Sequence, residues 1–402
     1  MMKIPFSPPD ISQAEIDAVV DTMKSAWITT GPKTEELSKR ISALCHTEHS
    51  VCMNSATACH EMALRLLGIG EGDEVIAPAY TYSASASVIE HIGAKIVLVD
   101  IEKDSYHIDY DALEAAITPK TKAIVPVDLG GILCDYDRIT QIVESKKSIF
   151  KPSNDIQSAM GRIAVTADGA HSLLAQRPDG KRSGELGDFT SFSFHAVKNI
   201  TTAEGGALTW RPIAGVDSEW MKKQIKLFSC HGQDRDFKPE GEKPFWEYDI
   251  EFLGYKHNMT DILASFGLAQ LDRADEIMSA RRSIFRRYDD ALRGMDGVDI
   301  LDHFGAAGSS CHLYMVNFRS RDEAFRNEFM DRMLELGVYT NVHYKPLPMH
   351  TAYKNIGFNI KDYPNAYDMF KGEVTLPSFS RMTDEQVDYV IECFKKVYGA
   401  MK

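Results

Sequence analysis

Between about residues 56 and 128 the apolar positions form short continuous runs, separated by stretches where they recur with helical spacing. "ATACHEMALRLLG" is followed by "DEVIAPA", "SASASVIEHIG" by "AKIVLVD", and "DALEAAIT" by "TKAIVPVD". Short apolar strands alternating with helices are the signature of βαβ units. Because these strands lack polar alternation, they predict a mostly parallel sheet buried on both faces by helices, an α/β fold. Upstream, Ser12 to Ala43 predicts a helix, a turn at "TTGP" and a second helix, with Gly31-Pro32 as the break. Downstream, "RIAVTAD" leads through a Gly-containing loop to "DFTSFSF" and "GGALTW", a pair expected to be antiparallel at its end of the sheet.

The polar stretch "ESKKSIFKPSND", within Gln141 to Arg162, reads as an excursion between a helix and the next strand. From about Asp249 the period changes. Ile262, Phe266, Ala269, Ile277, Ile284 and Tyr288 mark helical spacing over a length able to link two bodies. From Val298 to Lys402, strands at "HLYMVNFR" and "VYTNVHY" and helices at "RNEFMDRMLELG" and "TDEQVDYVIECFKKVYGAM" predict a smaller α+β module. The expected division is a large domain over 1–250, with an N-terminal helical segment, and a small domain over 251–402 that includes the linking helix.

Composition narrows the picture by exclusion. With 402 residues, 44% of them hydrophobic, the chain can build more than one globular unit. Lys and Arg total 45 against 58 Asp and Glu, a net charge of -13 with no basic block, which argues against a nucleic-acid partner. The seven cysteines are scattered and include no Cys-x-x-Cys pair. They predict buried, reduced thiols in a cytoplasmic protein, and neither a disulfide frame nor a metal site. "MMKIPFSPPD" reaches Pro and Asp before an apolar core of signal-peptide length, and no run of about 20 apolar residues suggests a membrane span.

Four short stretches carry candidate chemistry. "GIGEGD", Gly68 to Asp73, follows a helix and opens a strand, the reverse of a dinucleotide-binding glycine loop, and reads as a helix cap and turn. "CMNSATACHEMAL" has the productive order, a strand and then a helix start whose amides and hydroxyls suit an anion. Taken alone, it is better accounted for by ordinary N-capping. "VTADGAHS" ends a strand at Asp168, where open α/β sheets bind ligands, and sets His171 three residues on. "FSFHAVKNI" surrounds Lys198 with apolar residues able to hold its amine in an uncharged, imine-forming state. A helix-start phosphate site, then Asp168, then a buried Lys198 are together the three anchors of pyridoxal 5'-phosphate, for its phosphate, its ring nitrogen and its aldehyde.

Over nearly its whole length the chain resembles the DegT/StrS family of nucleotide-sugar aminotransferases. The resemblance rests on "WITTGPKTEELSKRI", "NSATACHEMALRLLGIGEGDEVIAPAYTYSASASVI", "VTADGAHS", "GDFTSFSFHAVKNITTAEGGAL", "GYKHNMTDILASFGLAQL" and "GVYTNVHYKPLPMH". It implies a fold-type-I pyridoxal-phosphate enzyme with a seven-stranded sheet, working as a homodimer with shared sites. It further implies Lys198 as the Schiff-base lysine, Asp168 at the pyridine nitrogen, His171 near the phenolic oxygen and Tyr82 on the ring face. Thr57, Ala58, Ser193 and, from the second subunit, Asn258 would hold the phosphate. Thr29, Thr30, Lys256 and His343 are candidates for contacting sugar or diphosphate.

The implied reaction is a ping-pong transfer from glutamate to a nucleotide-linked keto-sugar, most often a 4-keto-6-deoxyhexose. A sugar dehydratase of the same family would carry His in place of Lys198. A regulatory protein keeping the fold without turnover would be marked by loss of Lys198 or Asp168, and both are present. Two departures stand out: the excursion over Lys146 to Asp155 is long, and "VDLGGILCD" carries Asp128 in place of a His-bearing version. Both are expected to border the sugar site.

Overall fold

The computed structural model describes residues 2–234 and 246–402. Its centre is a sheet of β1 (Ser50–Met53), β2 (Glu74–Pro78), β3 (Lys95–Val99), β4 (Thr121–Ile124), β5 (Ala164–Asp168), β6 (Phe189–Ser193) and β7 (Gly206–Trp210). Among the described residues this is a seven-stranded sheet in the order β1-β7-β6-β5-β4-β2-β3. The pairings from β3 across to β6 are parallel, whereas β7 runs antiparallel to both β6 and β1. The expected antiparallel pair is therefore present, but β1 forms the outer edge beyond it. All residues of β1, β2, β4, β5 and β7 are buried, as continuous apolar strands covered on both faces require.

Helices α1 (Gln13–Lys24), α2 (Pro32–Leu44), α3 (Ala56–Leu66), α4 (Ala84–His91), α5 (Tyr110–Ala116), α6 (Tyr136–Ser145), α7 (Asp155–Met160) and α8 (Ser218–Ser229) accompany these strands. A short two-stranded ladder joins β8 (Gln233–Asp234) to β9 (Asp249–Ile250). The long helical run is two helices, α9 (Asp261–Asp272) and α10 (Ala274–Leu292). They part at Arg273, whose side chain is drawn to Asp10 at 3.0 Å and to the fully buried Glu15 at 3.1 Å. Helix α9 packs on α1 and α2. Helix α10 enters two cores: Ile277 and Met278 join Leu37 and Phe192, whereas Phe285, Tyr288 and Leu292 join Phe318 and Phe394.

The second core is built on β10 (Val298–Ile300), β11 (Tyr314–Phe318) and β12 (Glu373–Leu376), an antiparallel sheet in the order β10-β11-β12. Helices α11 (Glu323–Glu335), α12 (Thr351–Asn355), α13 (Pro364–Gly372) and α14 (Asp384–Met401) complete this α+β module. Ile4 belongs to its core and bridges Val338. "VYTNVHY", expected to be a strand, is not one. Val338 pairs singly with Ile4 and Asn341 singly with Thr375. Pro346 and Pro348 follow, each without an amide to extend a ladder.

The excursion over 146–155 does not approach the carboxyl ends of the strands. Asn154 and Gln157 donate to the carbonyl of Leu67, past the end of α3, at 3.0 and 2.9 Å. Lys122, at the start of β4, donates to the Lys151 carbonyl. The excursion thus packs at the opposite edge of the sheet from Asp168, and it cannot border a sugar site there. Asp128 is also buried and structural. It accepts from the Cys134 amide at 3.0 Å, the Tyr136 hydroxyl at 3.0 Å and the Ser172 hydroxyl at 2.7 Å. The seven cysteines are free, and six are buried, while Cys230 is half-buried. No described helix is long and apolar enough to cross a membrane.

The turn at Gly31-Pro32 is fixed from α9. Buried Asp261 accepts from the amides of Lys33 and Thr34 at 3.0 and 2.9 Å and from the Thr34 hydroxyl at 2.7 Å. Asp261→Ala strands these donors, a loss of about 1–3 kcal/mol for buried groups left unpaired. The urea midpoint is expected to fall, and an unchanged midpoint would show that this cap does not contribute.

Candidate active site

At the carboxyl ends of β5 and β6 the chain encloses a cavity of about 470 Å³. Asp168 is the last residue of β5 and Ser193 the last of β6. Thr57, Tyr82, Asp168, His171, Ser193, Lys198 and His343, all singled out from the sequence, line this cavity. The loop from β6 to β7 delivers Lys198. Phe194 closes its base, accepting from the Thr202 amide and donating to the Gly205 carbonyl. The next residues, Asn199 and Ile200, turn inward, where buried Asn199 donates to the Ser310 carbonyl at 2.7 Å. Lys198 is left to extend into the cavity.

Burial lowers the pKa of Lys198 to about 8, and the negative charge of Asp168 opposes that shift. Asp168 is itself held in place. Its Oδ2 accepts from the Ser85 hydroxyl at 2.6 Å, and its Oδ1 from the Ala170 amide at 3.0 Å. The Thr81 and Ser85 hydroxyls lie 2.8 Å apart; with the Ser85 hydrogen directed to Asp168, Thr81 donates to Ser85.

His171 has a fixed tautomer. Its Nδ1 accepts the Gly130 amide at 3.2 Å, so Nε2 carries the hydrogen and faces the Tyr344 hydroxyl at 3.1 Å. Burial, and then the charge of Lys198, hold the ring well below the usual imidazole pKa. This explains "VDLGGILCD": Asp128 anchors the loop, and Gly130 and Gly131 at positive φ bring it against His171. A Cβ on Gly131 would come within 2.9 Å of the His171 carbonyl oxygen.

The helix start is equally specific. Ser55 caps α3 by accepting the Ala58 amide at 3.0 Å. Ala58 is buried and absent from the cavity lining, so its amide is already engaged. Among the described residues the amides of Ala56 and Thr57 meet no protein acceptor. Gly206 makes this possible, because a Cβ there would lie 2.5 Å from the Ala56 nitrogen. The amides left open are thus those of Ala56 and Thr57, whereas that of Ala58, expected to act with Thr57, is engaged by Ser55.

Four expected contacts lie away from the cavity lining of their own chain. Thr30 receives a hydrogen bond from the Asn258 amide at 2.7 Å and donates to the Met259 carbonyl at 2.5 Å. The Thr29 carbonyl accepts the Asp261 amide, and Lys256 is exposed with its amine 3.9 Å from Cys230 Sγ. Conversely, Tyr344, Ser85, Thr81 and His60 were not foreseen. Tyr344 forms a wall with Tyr82, their ring centroids 5.6 Å apart. His60 lines the floor one turn after Thr57, with a buried Nε2 that has no partner among the described residues. Its signal was the i, i+3 spacing from Thr57.

Free helix-start amides beside a serine hydroxyl, a held carboxylate and an amine of lowered pKa fit pyridoxal phosphate at its three polar ends. The fold and this cavity define the fold-type-I class of pyridoxal-phosphate enzymes. Residues 9–395 match the profile of the DegT/DnrJ/EryC1/StrS aminotransferase family, and the chain belongs to that family. It is a pyridoxal-phosphate-dependent aminotransferase.

The chain is 50% identical to a putative sugar aminotransferase, Spr1654 from Streptococcus pneumoniae, solved in its PLP form. The match covers 100% of both chains with a TM-score of 0.95. It is 34% identical over 398 residues to the spore coat polysaccharide biosynthesis protein SpsC of Bacillus subtilis, covering 98% of this chain and 97% of SpsC. An uncharacterized protein of Methanocaldococcus jannaschii, MJ1066, is 36% identical over 404 residues, 99% of each chain.

Imine formation needs the free amine of Lys198, which is protonated below its pKa and free above it. The rate at which cofactor-free protein captures pyridoxal phosphate is expected to rise with pH and reach half its maximum near pH 8. A solvated lysine would give about 10.4, and a midpoint there would refute the buried amine.

Proposed function

We propose that this enzyme transfers the amino group of glutamate to a nucleotide-linked keto-sugar, a 4-keto-6-deoxyhexose on UDP, dTDP or GDP, as a homodimer with shared sites. The observation that carries the reading is Lys198 lining one cavity with Asp168, His171 and the open start of α3. When bound, pyridoxal phosphate supplies the electron sink that lets an amino group change carbons. The amides of Ala56 and Thr57 and the hydroxyl of Ser193 would hold its phosphate, and Tyr82 would cover its ring. Asp168, steadied by Ser85 and Ala170, would hold a proton on the ring nitrogen. His171 would donate from Nε2 to the phenolic oxygen. Lys198 would hold the aldehyde carbon, and its amine, when free, would serve as the base that moves a proton beside that carbon.

Sugar as the acceptor is supported by the likeness to Spr1654, a putative sugar aminotransferase, and to SpsC, a spore coat polysaccharide biosynthesis protein. Dimerisation is supported by apolar surface along α1 and after it, where Ile16, Val20, Met23, Trp27 and Ile28 are exposed. Asn258 and Thr30, paired outside their own cavity, sit ready to complete the phosphate and sugar sites of a second copy. A cytoplasmic location is in keeping with the free thiols.

Lys198→Ala is expected to keep cofactor binding through phosphate and ring contacts, while glutamate no longer bleaches the visible band; retained turnover would overturn the assignment. Asp168→Asn should lower the rate by orders of magnitude with the fold intact. With wild-type protein in its pyridoxamine form, screening keto-sugar nucleotides for return of the visible band identifies the acceptor. No return with any keto-sugar would refute the sugar reading.

If the sites are shared, mixing inactive Lys198→Ala with Asn258→Ala protomers builds one intact site per mixed dimer. Activity should then reappear on mixing, and a mixture as inactive as its components would mean that each chain works alone.

A further inference from the structure

The small domain contributes more to the cavity than a wall. On β12, Glu373 and Thr375 stand two positions apart, on one face of the strand, and both are fully buried. Glu373 accepts the Thr375 hydroxyl on Oε1 at 2.5 Å and the His343 amide on Oε2 at 2.8 Å. Thr375 Oγ1 lies 2.9 Å from His343 Nδ1. His343 lines the cavity, and with Nδ1 engaged its Nε2 is the ring nitrogen left for a reactant.

A hydroxyl has one hydrogen to give. When Glu373 is ionised, Thr375 donates to it, so the Thr375 oxygen must accept from Nδ1–H, and Nε2 keeps a lone pair. When Glu373 carries a proton and donates it, the Thr375 hydrogen turns to Nδ1, and Nε2 bears the ring hydrogen. We propose that Glu373, Thr375 and His343 form a proton relay in which the buried carboxyl decides whether His343 accepts or donates a proton in the cavity.

The step balances without any co-reactant. A proton taken up at Nε2 releases the Nδ1 proton to Thr375 Oγ1, while Thr375 passes its own hydrogen to Glu373 Oε1. One proton moves from the cavity to the carboxyl, no electrons change hands, and the reverse steps return it. Glu373 is thus a positioning residue, acting through His343. Amino transfer to a carbonyl needs both senses, since the oxygen leaves as water and proton delivery must be reversible.

The surroundings suit this role. Burial raises Glu373 to about 8, opposed by Arg326 on α11. Tyr80, Tyr106 and Tyr344 also face Glu373, each kept un-ionised by burial. Lys198, His171 and His312 face His343. Burial and then Lys198 push His343 down to about 3, so its ring stays neutral near pH 8 and only its tautomer changes.

The proposal rests on the functional reading only in taking this cavity as the reacting site, and its test uses the protein free of cofactor. In histidine-¹⁵N-labelled protein, His343 is assigned by the signal lost in His343→Gln. Raising the pH from about 6 to about 10 is expected to shift its two-bond ¹⁵N correlations from the Nε2–H to the Nδ1–H form, with a midpoint near 8. Glu373→Gln and Thr375→Val should abolish that shift. Lys198 also loses its proton in this range, and because Glu373→Gln leaves Lys198 in place, a change caused by Lys198 would persist in that variant.

A constant His343 tautomer in the wild-type protein would overturn the relay, as would an equal shift in Glu373→Gln. Should both variants fail to fold, the wild-type titration still decides between a shift and none. Loss of the functional reading would appear separately, as absent amino transfer with the titration intact.

Discussion

Everything at the cavity depends on holding an amine out of water beside a carboxylate without letting the two collapse into a permanent ion pair. Desolvation favours the neutral amine of Lys198, and Asp168 favours the ammonium. Burial outweighs Asp168 and lowers the pKa of Lys198 to about 8, while Asp168 accepts from Ser85 and Ala170 and does not need Lys198 to satisfy its oxygens. The sheet supplies the geometry: β5 and β6 are parallel neighbours, so their last residues share one edge, and the antiparallel β7 brings the intervening loop straight back over it.

The same logic of prior engagement runs through the other polar groups. Gly130 takes Nδ1 of His171 and thereby fixes where its hydrogen points. Asn199 takes the ring of His312, whose Nδ1 lies 2.9 Å from its side-chain oxygen, and so fixes a second imidazole beside His171. Asp168 and His171 thus face the cavity with their other polar atoms already engaged by the protein, whereas His60 keeps a buried Nε2 without a partner among the described residues.

The central sheet was legible because its strands are buried on both faces and so appear as unbroken apolar runs, as in "AKIVLVD". Asp168 was legible because it ends a strand pattern, and Lys198 because it is a lone cation set in an apolar flank just after one. Glu373 and Thr375 were not, since "EVTL" is four residues long and follows a helix with no turn signal between them. Tyr344 escaped notice because its segment alternates like a strand, yet pairs by single bridges with two different partners. The role expected of residues 146–155 failed because composition marks a stretch as polar without saying which end of the strands it reaches; the Asp128 loop does reach the cavity, through Val127 and Leu129, while Asp128 itself is buried beneath it. Nor does the sequence show that Ser55, three residues earlier, takes the amide of Ala58.

Helix α10 has one half set in each hydrophobic core. A helix is stiff over this length, so the two bodies are joined by a rod rather than a cord. Tyr344 sits on neither end of that rod: with Val342 and Leu347 it packs onto the core that also holds Ala79 and Tyr80, next to Tyr82. The rod can therefore hold the second core in place while the Tyr82–Tyr344 wall stays moored to the core of the central sheet.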